Sequence, residues 1–327
     1  MGAPSEYLDR LRTFARSLQG DSDLLDTDIN TMGRRYRQFV AESLHMGWTA
    51  HQPLSGRDFC EALAILAEHS GAFAFITLQQ FVANANLSVR APALDPWPCV
   101  GVAFGHLRNP RGPAPQWDGQ RANGLVPWMT GAGLFQQVIL GMRGNDGQEV
   151  YALVDATNRA AFRHGAPMDL IACTASCTLS VQIVDLRVDE NTVLKTEAAG
   201  TFQQNDTNGV LYQTPLMVGC VRACRDLIRL SPRVGVSERD RSESATERIL
   251  HRVYTAFAGC TAEEGQQLRA ELGDFAVRLA RLSVMASGGV GLVRSHPAQR
   301  LYREALLYTV MAQTDPIINQ AIREVFV

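Results

Sequence analysis

The spacing of apolar and polar positions changes twice along the 327-residue chain, which divides it into three zones. In the first, about residues 1–95, apolar residues recur every three to four positions, the period of an amphipathic helix. "SGRDFCEALAILAEHSG" predicts a helix capped by Ser55, with Asp58 in its first turn and Phe59, Leu63, Leu66 and Ala67 on one face. "AFAFITLQQFVANANLS" predicts a second, more thoroughly buried helix. In the second zone, about 96–205, the period shortens. "CVGVAFGHL", "GLFQQVILGM", "EVYALVDA" and "TLSVQIVDLRV" read as strands, parted by turn signals such as Asp118-Gly119 and Asn145-Asp146-Gly147. The third zone, about 206–327, is helical again. "TPLMVGCVRACRDLIRL" predicts a buried helix stopped at Ser231-Pro232, and the polar "SPRVGVSERDRSESATE" reads as an exposed linker. Leu268, Leu272, Phe275, Leu279 and Leu282 then alternate at spacings of four and three, the seam of a long bundle helix. "SGGVG" ends that helix, and "SHPAQRLYREALLYTVMAQ" starts another.

The order of zones predicts an α+β fold, mostly α. A helical domain (1–95) precedes a central antiparallel β-barrel or sandwich domain (96–205), and a C-terminal four-helix bundle (206–327) follows.

Composition narrows the functional classes. A formal charge of −2 gives no basic excess for phosphate neutralisation, so no nucleic-acid partner is expected. No apolar run approaches the roughly 20 residues of a membrane helix, and no signal-peptide pattern opens the chain, so a cytoplasmic protein without a membrane partner is expected. The seven cysteines are scattered. Cys173 and Cys177, like Cys220 and Cys224, are four apart without zinc-site spacing or nearby histidines, so free thiols and no metal are expected. Lys195 is the sole lysine in an arginine-rich chain and reads as a composition bias.

One stretch resists the strand pattern. "VPWMTGAG", Val126 to Gly133, sets a tryptophan, a hydroxyl and two glycines between apolar runs. Glycine weakens strand interiors and marks turns or close backbone approach, so this is either a sharp turn or the wall of a binding site.

Three strings in order, one of them this stretch, resemble the acyl-CoA dehydrogenase family over nearly the whole chain. "GGVGLVRSHPAQRLYREALLY" is similar to that family's glycine-rich break and its Arg-Asp/Glu-Ala helix, and "VDLRVDENTVL" to its "DVRVP-x-x-N-x-L" strand. "VPWMTGAG" resembles its Trp-x-Thr/Ser segment. The resemblance implies FAD as cofactor, with Trp128 packing near the isoalloxazine and Thr130 bonding its polar edge while Gly131 and Gly133 admit the backbone. It also implies Gly288 and Gly289 on the adenosine side, Thr314 near the cofactor, a small-molecule acyl substrate, and a homodimer or homotetramer built through the bundle.

The departures bear on activity. The family's Thr-Glu-Pro-x-x-Gly-Ser segment is replaced by "VAFGHLRNP", which puts Phe104, Gly105 and His106 at the flavin side. Met285 stands where a glutamine is common, and the Arg-x-x-Phe-Gly segment is missing. Dehydrogenation needs a carboxylate beside the substrate α-carbon. The usual glutamate position is Ala312, followed by Gln313, which leaves Asp315 as the nearest carboxylate and no assigned base. Asp226 lies near the far end of the first bundle helix; Glu304 reads as a helix-surface ion pair and His296 as a helix cap. The leading expectation is an FAD-dependent oxidoreductase acting on CH–CH groups of an acyl thioester or related small acid derivative. The alternatives are a flavin-dependent monooxygenase of the same fold and a non-catalytic flavin- or acyl-binding relative.

Overall fold

The computed structural model describes residues 4–45, 54, 56–90 and 99–325. Five helices come first: α1 (Pro4–Ser17), α2 (Ser22–Thr27), α3 (Ile29–His45), α4 (Gly56–His69) and α5 (Gly71–Arg90). Ser55, the expected cap of α4, and the 95/96 zone boundary lie outside the described residues. The four expected face residues of α4 are buried, but so are Ala62, Ala64 and Ile65. α4 is enclosed on more than one side because α1, α5 and the bundle all pack on it. The expected burial of α5 also holds, down to its polar Thr77, Gln80 and Asn84.

Eight strands follow: β1 (Val100–Ala103), β2 (Gln116–Trp117), β3 (Arg121–Met129), β4 (Gln137–Arg143), β5 (Glu149–Asp155), β6 (Phe162–Pro167), β7 (Leu179–Arg187) and β8 (Val193–Glu197). They form one sheet in the order β6-β7-β3-β2-β4-β5-β8, with β1 added to β4. The sheet is mixed, because β1 and β2 run parallel to β4 while the other pairs are antiparallel. Parallel partners need a crossover connection, and between β1 and β4 it is made by the four-residue helical turn Gly105–Arg108 and the β2–β3 hairpin.

The C-terminal part comprises α6 (Thr201–Asn208), α7 (Pro215–Leu230), α8 (Val236–Ala256), α9 (Ala262–Ser287), α10 (Pro297–Val310) and α11 (Asp315–Val325). The segment read as a charged linker is largely helix α8, which is a correction. Its inward stripe holds only Thr246, Ile249, Leu250 and Val253, all in the second half, so its charged first half hid the helical period. α9 begins on a capping box. Thr261 Oγ1 accepts the Glu264 amide at 3.2 Å while Glu264 Oε2 accepts the Thr261 amide at 2.8 Å. Of its expected seam, Leu268, Leu272 and Leu279 are buried, Phe275 is half-buried and Leu282 is exposed. α9 with the turn after it has the length and composition of a membrane span, but it packs against α7, α10 and α11 as the centre of the bundle.

A buried ionic cluster ties the three zones together. Glu304 on α10 is not on the surface as expected; it is 0% exposed. Arg300 donates to its Oε1 at 2.8 Å, and the Gly71 amide at the start of α5 donates to the same oxygen at 3.0 Å. Burial raises the Glu304 pKa against the pull of Arg300. Nearby, Asp26 of α2 faces Arg303 at 3.0 Å and accepts the Cys173 amide at 2.6 Å. Asp26, Cys173 and Glu304 offer ligand atoms within 4.8 Å of one another, yet both carboxylates already face arginines, so the cluster's charge is balanced without an ion.

Candidate functional site

A cavity of about 1130 Å³ opens where α4 and α5, the sheet and the end of α10 meet. One end is built by the stretch that resisted the strand pattern. β3 stops at Met129, and Thr130 to Gly133 turn the chain toward β4. The Gly131 amide donates to the Ser176 carbonyl at 2.8 Å and that of Ala132 to the Cys177 carbonyl at 3.2 Å. Gly131 has φ +77°, and a Cβ there would meet the Phe135 ring at 2.2 Å. The glycine therefore serves a tight turn packed on Phe135 rather than the approach of a ligand to the backbone, which corrects that part of the expectation.

The side chains of the same stretch do face the cavity. Trp128 and Thr130 line it, and the Trp128 side chain remains 58% exposed. Thr130 Oγ1 lies 3.0 Å from Thr178 Oγ1, which lies 3.0 Å from Ser176 Oγ. Three hydroxyls joined by two bonds keep one proton free to donate to a ligand acceptor. An exposed indole beside a buried hydroxyl chain fits a flat aromatic ring system with a polar edge, so these residues fit a flavin.

Phe104 and Gly105 line the cavity farther in, with His106 and Arg108. The His106 Nε2–H donates to the Gly141 carbonyl at 3.0 Å, because a carbonyl can only accept. Burial pulls His106 down to about 4, so the ring is neutral at physiological pH and its Nδ1 carries a lone pair. Glu149 is buried and holds the start of α6, accepting the Gly200 and Phe202 amides at 3.0 and 2.8 Å. That brings Phe202 against Phe104, whose ring also meets Tyr151 edge-on.

Charged pairs close this inner end. Lys195 donates to Glu197 Oε1 at 3.0 Å and lies 4.3 Å from the Tyr151 ring centroid. Arg108 grips Asp206 through two bonds, 2.6 and 2.8 Å long. None of Lys195, Glu197, Arg108 or Asp206 stands out in the sequence as a site residue. The solitary lysine was the one available signal, since strand pairing of β5 with β8 is what brings it to Tyr151.

Ala312 and Gln313 form part of the opposite wall. Ala312 adopts a left-handed φ of +52°, and the preceding Met311 carbonyl accepts Arg269, a guanidinium only 1% exposed. Burial lowers Arg269 to about 10. Thr314 lies just beyond the wall, its Oγ1 buried without a partner among the described residues. Asp315 is exposed at the start of α11 and does not line the cavity. Gly288 and Gly289 also lie away from it, in the turn after α9, where Gly288 abuts Arg233 and Gly289 borders open space. His296 caps α10, its Nδ1 accepting the Ala298 amide at 3.2 Å, as expected. Asp226 pairs with Arg225 on the α7 surface, away from the cavity.

No protein-family model matches the chain, and no curated protein matches it significantly. Solved structures do: the chain has the acyl-CoA dehydrogenase fold. Butyryl-CoA dehydrogenase from Megasphaera elsdenii superposes with a TM-score of 0.75 at 15% identity, covering 99% of this chain and 98% of that one. KijD3, solved with FMN and a dTDP-linked amino-keto sugar, gives 0.76 at 14% identity over 100% and 94%. A nitrososynthase from Micromonospora carbonacea gives 0.72 at 16% identity over 99% and 96%.

Proposed function

We propose that the protein is a flavin-dependent oxidoreductase that oxidises a small substrate inside this cavity, with dioxygen as the electron acceptor or co-substrate. The observation that carries the finer reading is the state of the carboxylates. Among the described residues lining the cavity, Glu197 is held by Lys195 and Asp206 by Arg108, and Ala312, which the sequence resemblance puts at the usual base position, cannot accept a proton. A base that must take an α-proton needs an oxygen open to the substrate. Arg108 holds both oxygens of Asp206, and Glu197 has one oxygen on Lys195 and the other shielded from the cavity. A flavin, when bound, supplies the redox chemistry, accepting electrons from a donor and passing them to dioxygen. The fold likeness to KijD3 and the nitrososynthase supports this reading beside the dehydrogenase one.

The chain's own contribution is binding and orientation. Trp128 would cover the ring face of a bound flavin, and the Thr130–Thr178–Ser176 hydroxyls would supply one donor to its edge. Thr314, with its unpartnered buried hydroxyl next to the cavity wall, is a further candidate contact. Phe59, Phe75, Phe81 and Leu78 from α4 and α5 exclude water from the substrate side.

The test is anaerobic. Protein loaded with FAD or FMN is mixed with butyryl-CoA, and the flavin absorbance is followed. The proposal expects no bleaching, and, when air is then admitted in a second measurement, oxygen consumption once the flavin is reduced by an added nicotinamide or flavin reductant. Rapid bleaching by butyryl-CoA would return the protein to the acyl-CoA dehydrogenase reading.

A further inference from the structure

We infer that Lys195 recognises the substrate, its ammonium donating a hydrogen bond to a carbonyl oxygen on an otherwise apolar molecule at the inner end of the cavity. The inference rests on reading the cavity as a substrate chamber. Lys195 is the only lysine among the 31 Lys and Arg residues of the chain, and it is one of the side chains that line the cavity. Its side chain is 19% exposed, so it is neither sealed in the core nor free in bulk water. Arginine, the chain's usual cation, presents a planar fork that grips a carboxylate or phosphate by two bonds. Lysine presents a compact charge with three rotatable donors, which suits a single acceptor atom.

Two of those three donors are occupied. Glu197 Oε1 accepts one at 3.0 Å, and the Tyr151 ring, its centroid 4.3 Å from Nζ, faces a second. The third has no acceptor among the described residues. The head is also held before any ligand arrives. Strand pairing sets Lys195 directly across from Tyr151, whose hydroxyl donates to Glu149 Oε2 at 3.1 Å. Glu149 is fixed in turn by the Gly200 and Phe202 amides. A donor already fixed in place loses little freedom when a ligand binds it.

Charge and surroundings select the acceptor. Glu197 neutralises Lys195, and Arg108 is engaged with both oxygens of Asp206. A substrate carboxylate would meet the Glu197 charge beside the ammonium, whereas a neutral carbonyl takes the free N–H without that repulsion. Phe104 meets both Tyr151 and Phe202 edge-on and lines the same end, which suits an apolar body. A plain hydrocarbon would strip water from the free N–H and offer no acceptor in return.

Three probes test this on the full-length protein by ligand-observed NMR: acetophenone, α-methylstyrene, in which a C=CH2 replaces the carbonyl, and benzoate. Acetophenone should bind about ten-fold tighter than α-methylstyrene, the scale of one hydrogen bond to a charged donor. Lys195→Met keeps the apolar stem and should erase that preference, with far-ultraviolet circular dichroism checking the fold. A chemical route reaches the same point without a substitution. Acetic anhydride should acetylate Lys195 in the folded protein, read by mass spectrometry of the one peptide that carries a lysine. Acetophenone should slow that reaction several-fold, and the acetylated protein should bind both neutral probes alike. Equal affinity for acetophenone and α-methylstyrene, binding of neither, or a preference that survives loss of the amine would overturn the inference. So would a Lys195 that resists acetylation in the folded protein, or benzoate binding tighter than acetophenone. Flavin uptake, measured by absorbance on the same samples, reports separately on the cofactor reading.

Discussion

Thr130 Oγ1 lies 3.0 Å from Thr178 Oγ1 in the cavity wall, joining the turn after β3 to the start of β7. Trp128 stands beside this pair with more than half of its surface open. If the hydroxyl chain holds the polar edge of a flavin, Thr130→Val removes the donor while keeping the shape. Flavin affinity should fall about ten-fold, because a lost hydrogen bond to a buried group costs about 1–2 kcal/mol. A titration followed by flavin fluorescence checks it, with the thermal midpoint expected to shift by only a few degrees.

The acid limb of stability should depend on His106. Its folded-state value is pulled by burial to about 4, below the ordinary value of 6.5. The unfolded chain thus binds the proton more readily, so the stabilisation is complete above pH 6.5 and drains away as pH falls toward 4. The loss is on the order of 3 kcal/mol at most. Urea denaturation between pH 7 and pH 4 should show this slope, and His106→Gln should flatten it.

The Arg300–Glu304 pair predicts a large stability effect with no chemistry. Glu304→Gln leaves the Arg300 guanidinium without its carboxylate partner in a buried site. Breaking one side of such a pair costs about 3–5 kcal/mol. The thermal midpoint should drop by several degrees in calorimetry, whereas Glu263→Gln on the exposed first turn of α9 should leave it almost unchanged.

Self-association should follow the apolar outer face of the bundle. Met285 on α9, Val290, Leu292 and Val293 in the turn after it, Leu306 on α10 and Ile318 and Ile322 on α11 are all exposed. Several such residues grouped on neighbouring elements mark an interaction surface. The 35.8 kDa chain is expected to run as a dimer or tetramer in light-scattering chromatography. Leu306→Glu should shift it toward monomer while preserving its circular dichroism spectrum.

Much of this architecture was legible in the sequence because it rests on local periodicity. The helix–sheet–helix order, the buried α5 and the break after α9 all follow from apolar spacing and glycine punctuation. α8 was not legible, since its four inward residues sit in one half and its charges dominate the other. The outer half of the site was marked by Trp128 and Thr130, which are neighbours in the chain. The inner half was not, because Lys195 reaches Tyr151 through strand pairing and Arg108 reaches Asp206 across nearly a hundred residues. Gly131 shows the limit from the other side. Its presence announced a special position, but only the structure tells a packed turn from a ligand contact.

The central claim is that a flavin occupies the cavity beside Trp128 and Thr130. Equilibrium titration of the purified protein with FAD and with FMN, followed by absorbance and by quenching of flavin fluorescence, tests it most directly. The account predicts saturable uptake of at least one of the two, near one per chain, weakened about ten-fold by Thr130→Val. Protein that stays colourless and leaves the fluorescence of both flavins unchanged would contradict it.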